Sequence, residues 1–323
     1  MEALISSFEN LFTINSLIGL AIGVVGGMVI GALPGLSATM GIALLIPVTY
    51  GMDPSAALIM LASIYTSAIY GGSISAILIH TPGTPSSAAT CLDGYPMTQQ
   101  GRALEAIGLS TVSSCIGGLL SAIALLLIAP PLAKVSLMFS SSEYFLIAIF
   151  GLTLIASLAG KSVVKGLIAG AVGLMAGLIG LSPDAYARFT FGLPVLLGGV
   201  ALVPAMIGLF SFSQVMIQAE ERGKGGSNVK EEAKISGRFL PRWSTFKSLF
   251  PLIMKCTVIG IFVGILPGAG GDIASWVGLN EAKRTSKHPD LFGQGNPEGI
   301  AAPESANNAV CGGALIPLLT LGI

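Results

Sequence analysis

Gly31-Ala32-Leu33-Pro34-Gly35-Leu36-Ser37-Ala38-Thr39 lies within a stretch, Asn10 to Met52, that contains no Asp, Glu, Lys or Arg. Proline removes a backbone donor and glycine weakens a helix. The motif therefore interrupts a hydrophobic segment at a depth where freed backbone groups must face protein, water or a ligand. The arrangement returns as Gly264-Ile265-Leu266-Pro267-Gly268-Ala269-Gly270-Gly271-Asp272. Paired interruptions in corresponding places of two halves point to the binding site of a secondary transporter.

The rest of the chain agrees with a membrane setting. Of 323 residues, 53% are hydrophobic and only 10% charged, with a mean hydropathy of +0.83 and zero net charge. Further uncharged runs cover Pro54 to Leu92, Ala106 to Ala133, Gly166 to Pro183 and Phe189 to Ala219. A spanning helix needs about 20 residues, so several runs hold more than one crossing or a re-entrant pair. The 43 glycines suit helices packed closely in lipid. No basic face interleaved with aromatics is present, which excludes nucleic acid as a partner. Cys91, Cys115, Cys256 and Cys311 form no C-x-x-C pair and read as small apolar fillers. The first residues carry Glu2 and Glu9 but no Lys or Arg, so the first hydrophobic run is expected to be retained rather than cleaved.

The fold expected is an all-α membrane protein, a polytopic helical bundle with broken or re-entrant helices and an internal two-fold repeat. Hydrophobic segments are expected near 15–33, 37–51, 55–70, 71–91, 106–130, 143–160, 163–181, 193–217, 249–267 and 299–323. A hydrophilic stretch with a basic excess follows Glu220 and is expected to be cytoplasmic. It divides the chain into a first transmembrane repeat (1–219), a linker (220–248) and the start of a second repeat (249–323). The segment ending in Pro267-Gly268 either dips into the membrane and returns or crosses it. The last run, from Ala309, is too short to cross, so the second repeat is expected to be incomplete and the chain truncated at its C-terminus.

Each half offers a broken segment followed by a Gly-Gly segment, Gly71-Gly72 and Gly312-Gly313, offset by 233 residues at the prolines and 241 at the glycine pairs. Half-helix N-termini present free N–H groups and partial positive charge, which suits a carboxylate. The candidate substrate-binding residues are Pro34, Gly35, Ser37, Thr39, Gly71, Gly72, Thr84, Ser86, Ser87, Pro267, Gly268, Gly270, Asn307 and Asn308. The hydroxyls among them also commonly satisfy backbone in membrane helices, and asparagine also caps helices. Acidic groups near apolar segments are costly, which makes Asp272 and Glu304 candidates for coupling to H⁺ or Na⁺. Glu298 can simply occupy a loop. His80 is more readily a hydrogen-bonded structural histidine than a proton relay. No nucleophile elbow, H-E-x-x-H pair or Walker A loop is present, so an enzyme is not expected, and no cofactor is called for.

At these motifs the chain resembles the large permease subunit of the tripartite tricarboxylate transporter family. The resemblance rests on Gly31–Thr39 with Gly41-Ile-Ala-Leu-Leu-Ile-Pro47, on Tyr70–Ser87 leading to Asp93-Gly94-Tyr95-Pro96-Met97, and on Glu298–Leu321, including Pro303-Glu304-Ser-Ala-Asn307-Asn308 and Gly312-Gly313-Ala-Leu-Ile-Pro317. It implies a bacterial inner-membrane, multi-pass transporter driven by an ion gradient. Its implied partners are a small membrane subunit and a periplasmic solute-binding protein that delivers a carboxylate. It also implies a longer chain, in which a Pro-Gly follows Gly322-Ile323. The competing readings are a non-transporting membrane scaffold or assembly subunit and, more remotely, a channel.

Overall fold

The computed structural model describes residues 10–34, 36–136, 162–182, 186–200, 238–266 and 270–321, with isolated positions between 138 and 149 and between 204 and 220. Gly35, Pro267 and Gly268, nearly all of the expected segment 143–160, part of 193–217 and most of the 220–248 linker lie outside the described residues.

The described helices are α1 (Ile14–Ala32), α2 (Ala38–Thr49), α3 (Pro54–Ile79), α4 (Ala88–Gln99), α5 (Ala103–Ser136), α6 (Val163–Gly177), α7 (Trp243–Ile265), α8 (Gly271–Thr285) and α9 (Glu298–Leu321). A two-residue antiparallel pair, Gly180↔Arg188 and Leu181↔Ala187, follows α6. Among the described residues α1, α3, α5 and α7 are long and apolar enough to cross a membrane. The chain is therefore an all-α, multi-pass membrane protein.

Local chemistry sets the ends of the helices. Thr13 accepts from the Ser16 N–H ahead of α1, and Asp53 accepts from Ser55 and Ala56 ahead of α3, whose first residue, Pro54, needs no donor. α1 stops at Leu33, just before Pro34.

Gly26 lies across from Leu45, and Gly41 from Ile30, so α2 folds back along α1. Lys255 pairs with Glu281, and the Cys256 thiol faces the Gly278 carbonyl at 3.8 Å, so α8 folds back along α7. At a rise of about 1.5 Å per residue, the 15 residues of α8 reach only about 22 Å. That is less than the roughly 30 Å of a hydrocarbon core, and the polar end with Lys283 and Arg284 returns alongside α7.

The two hairpins pack on their following long helices in the same way. On α1 the buried stripe is Ser16, Gly19, Gly23, Gly27 and Gly31. A methyl group at Gly27 would meet the Ile64 carbonyl, and one at Gly31 the Ala68 carbonyl, both on α3. On α7 the equivalents are Gly260, against the Ala306 carbonyl, and Gly264, against Val310 and Gly313 of α9. These glycines let the backbones touch, which is how helices associate without a hydrophobic driving force. The packing also corrects the repeat register. Gly71 abuts the Met28 carbonyl and Gly313 abuts the Ile261 carbonyl. Gly71 thus corresponds to Gly313, an offset of 242 rather than 241, and Gly312 instead meets Ser121 of α5.

A second correction concerns 55–70 and 71–91, expected as separate segments. α3 runs unbroken through Gly71-Gly72 to Ile79 and ends at His80, at φ 55°. The glycines do not break it because α1 presses on one and residue Thr84 on the other. His80 is exposed and stacks on Tyr95, with ring centroids 4.5 Å apart.

The innermost helix is α9. From Gly299 to Gly313 it is buried on all sides, packed by α5, α7 and α8. That placement explains how it tolerates Glu304, Asn307 and Asn308 in a chain otherwise so apolar. Glu298 opens this helix rather than sitting in a loop, with its N–H bonded to the Asn296 side chain at 3.0 Å.

Candidate functional site

The break between α3 and α4 is pinned onto α3. The Gly83 N–H donates to the Gly72 carbonyl at 3.1 Å, and a methyl group on Gly72 would collide with Thr84. Pro85–Ser87 then form a single tight turn leading into α4. Within it the Ser87 hydroxyl donates to the Thr84 carbonyl at 2.8 Å, so Ser87 serves the local fold. The Thr84 and Ser86 hydroxyls lie 3.1 Å apart, and Ser86 accepts from the Asn307 side chain at 3.2 Å.

On the opposite side stands the N-terminus of α8. Its cap, Gly270, has no side chain to spend on the first N–H groups. A methyl group on Gly271 would meet Asn307 Oδ1 and lie tight against Ser86 Cβ. Asn307 Oδ1 is buried and has no hydrogen-bond partner. The amide can present either its oxygen or, by a half turn, its NH₂ to the same point. The structure thus brings Gly72, Thr84, Ser86, Gly270 and Asn307 together, drawn from both halves of the chain. The point where they meet has a half-helix N-terminus, two hydroxyls and an unsatisfied amide, the equipment for holding an anionic oxygen.

Other expected residues take different positions. Ser37 caps α2, accepting from the Met40 N–H at 3.2 Å, and Thr39 is exposed. Gly71 is a helix-packing glycine. Pro34 ends α1 at the hairpin turn. Asp272, in the first turn of α8, is exposed and lies within electrostatic reach of Tyr65.

Glu304 is fully buried. Its Oε1 accepts from Ser73 at 2.6 Å and Thr90 at 2.5 Å, and its Oε2 from Ser110 and Ser114, each at 2.9 Å. These hydroxyls come from α3, α4 and α5, so one carboxyl ties four helices together, with no cation among its partners in the described residues. Asn308 completes the cluster by donating to Ser114 at 2.7 Å and to the Glu304 carbonyl at 3.0 Å. Beside it a cleft of about 260 Å³ is lined by Tyr70, Thr111, Ser114, Cys115 and Asn308. Cys115 is exposed there, unlike the other three cysteines, and so is not a buried filler.

Sequence reasoning gave no role to the hydroxyls around Glu304 or to Asp93. Ser110 and Ser114, four apart in an uncharged helix, share one helical face, and that spacing was the available signal. Among the described residues no group of His, Cys, Asp and Glu is arranged to hold a metal ion.

A sequence model of the tripartite tricarboxylate transporter TctA family matches residues 17–323. An uncharacterized 52.8 kDa protein in the TAR-I ttuC' 3' region of Agrobacterium vitis is 39% identical over 319 residues, which is 98% of this chain and 62% of that protein. An uncharacterized protein in the TAR-II ttuC' 3' region of the same organism is 52% identical over 64 residues, 20% of this chain and 26% of that one. The chain spans less than two thirds of the length of either relative. No solved structure matches.

Proposed function

The chain belongs to the tripartite tricarboxylate transporter TctA family, and from that premise we propose that it is the transmembrane permease part of a carboxylate importer. The substrate is a tricarboxylate or a related carboxylate, held between the Thr84–Ser86 turn, Asn307 and the start of α8. The observation that carries this reading is the buried, unpartnered Asn307 Oδ1 at an uncapped helix N-terminus. A helix end and neutral hydrogen-bonding groups hold an anion without the desolvation cost of a buried cation.

Transport is driven by an H⁺ or Na⁺ gradient, with Glu304 and Asp272 as the coupling groups. The binding protein that delivers substrate and the small membrane subunit are the partners, and the bacterial inner membrane is the location. The two hairpins supply the moving parts, rocking against the helices on which their glycines pack. No enzymatic step is required of the chain.

The test is uptake of a panel of labelled carboxylates into vesicles that hold the complete permease, small subunit and binding protein, with Na⁺ and pH gradients imposed separately. Accumulation against a gradient, lost in Asp272→Asn or Glu304→Gln variants that still insert, is the expected result. Accumulation and ion dependence unchanged in both variants remove them from coupling. A scaffold subunit predicts that substitutions at Ser86 and Asn307 leave flux untouched.

A further inference from the structure

Asp93, on α4, lies outside the carboxylate site yet is completely buried. Its Oδ1 accepts three backbone N–H groups from the loop ahead of α9: Gly293 at 2.8 Å, Gly295 at 3.0 Å and Asn296 at 2.8 Å. Gly293 and Gly295 hold φ of 87° and 93°, a backbone shape that suits glycine and curls the donors inward into an anion-binding nest. Gln100 reinforces the clasp by donating to the Gln294 carbonyl at 2.7 Å. Asp93 Oδ2, by contrast, is buried with no hydrogen-bond partner, packed on Gly299 where any side chain would overlap it.

We propose that Asp93 is a proton-binding latch between the two halves of the permease: Oδ2 takes up a proton, and Oδ1 then loosens its hold on the 293–296 loop. The site suits a proton rather than a metal cation, because Oδ1 is already held by three N–H donors and the positive charge of Lys283 acts on the carboxyl. The Gly299 carbonyl, left without its helical donor because Pro303 has no N–H, offers an acceptor on the very residue that Oδ2 abuts. The proton comes from solvent, turns carboxylate into carboxylic acid, and leaves by the reverse step.

Ionisable groups on the elements packed around Asp93 include Asp272, Glu281, Lys283 and Arg284 on α8, Glu298 and Glu304 on α9, Arg102 and Glu105 at the head of α5, Tyr65 and Tyr70 on α3, Tyr95 on its own helix and His80 ahead of it. α3 contributes no Asp, Glu, Lys or Arg. Lys283 is the one whose charge acts on Asp93. Since α4 also supplies Thr90 to Glu304, it grips α9 at two points, and protonation releases the one nearer the loop.

The part this latch plays in transport rests on the carrier reading above, but the latch itself can be tested without transport. Amide hydrogen exchange is followed in the full-length permease as pH is lowered, corrected for the intrinsic pH dependence of exchange. Exchange of the Gly293, Gly295 and Asn296 amides should speed up by about tenfold, the change expected at each when its charge-assisted hydrogen bond becomes a neutral one. In Asp93→Asn it should be fast at every pH. Protection independent of pH in the wild type overturns the proposal, and that result needs no variant to fold. Protection in Asp93→Asn equal to that of the wild type also overturns it. In vesicles, Asp93→Asn should keep citrate exchange while losing accumulation driven by a pH gradient, and retained accumulation contradicts the latch. A wild-type complex that moves no carboxylate sinks the carrier reading, while amide protection still decides the latch.

Discussion

Replacing Glu304 with alanine removes the acceptor for Ser73, Thr90, Ser110 and Ser114 at once. Hydrogen bonds to a charged group contribute about 1.5–3 kcal/mol each, so four of them set an upper bound of roughly 6–12 kcal/mol. Two effects reduce it. The freed hydroxyls can turn back to carbonyls of their own helices. The desolvation cost of the carboxylate also disappears. The cavity left behind works the other way. A net loss of about 3–5 kcal/mol follows, a size that single substitutions reach only when they break a buried network. Glu304→Gln keeps an oxygen for two hydroxyls and an NH₂ that the other two can accept, so its cost is about 1–2 kcal/mol. Thermal unfolding of the full-length protein in detergent measures the difference. At about 2 °C per kcal/mol for a chain of this size, alanine should lower the midpoint by about 6–10 °C and glutamine by about 2–4 °C. An alanine variant that melts within a degree of wild type would refute the reasoning, because it would mean that Glu304 does not tie these helices together.

The paired packing makes Gly31→Leu and Gly264→Leu comparable lesions, each forcing a helix pair apart at a cost of about 1–3 kcal/mol, read as lowered melting and reduced insertion. Asn307→Asp places a negative charge where a carboxylate is to sit, and the KM for uptake should rise at least about tenfold with the protein still folded, whereas an unchanged KM removes Asn307 from the site. Lys255, and after it Arg284, hold the Glu281 carboxyl below its ordinary range. That pairing contributes fully above the unfolded pKa and is lost as pH falls through the lowered one, so amide hydrogen exchange in α8, corrected for its intrinsic pH dependence, should speed up only in acid, as α8 loosens from α7.

Much of the architecture was legible because proline and glycine act locally. Leu-Pro-Gly at 33–35 and again at 266–268 marked where α1 gives way to α2 and α7 to α8. Gly71-Gly72 misled, since a glycine pair has the same sequence signature whether it breaks a helix or lets two backbones touch. The one-residue difference between the 241 and 242 offsets was likewise hidden, because only packing reveals which glycine of a pair faces the equivalent helix. At the site, Asn307 and Glu304 stood out because polar residues are rare in such a run. The hydroxyls that receive them did not, since Ser73, Thr90, Ser110 and Ser114 lie on three other helices. Asp93 was visible as a motif residue, but a carboxylate that captures a loop 200 residues away leaves no local pattern.

A density map of the complete permease with citrate bound tests the central claim most directly. The structure offers two places in the same bundle, the close-packed Ser86–Asn307–Gly271 meeting point and the cleft beside Tyr70 and Thr111. Density for a carboxylate touching Asn307, Ser86 and the first N–H groups of α8 is the result expected. Citrate seated in the Tyr70–Thr111 cleft, with Asn307 Oδ1 still unpartnered, would contradict it.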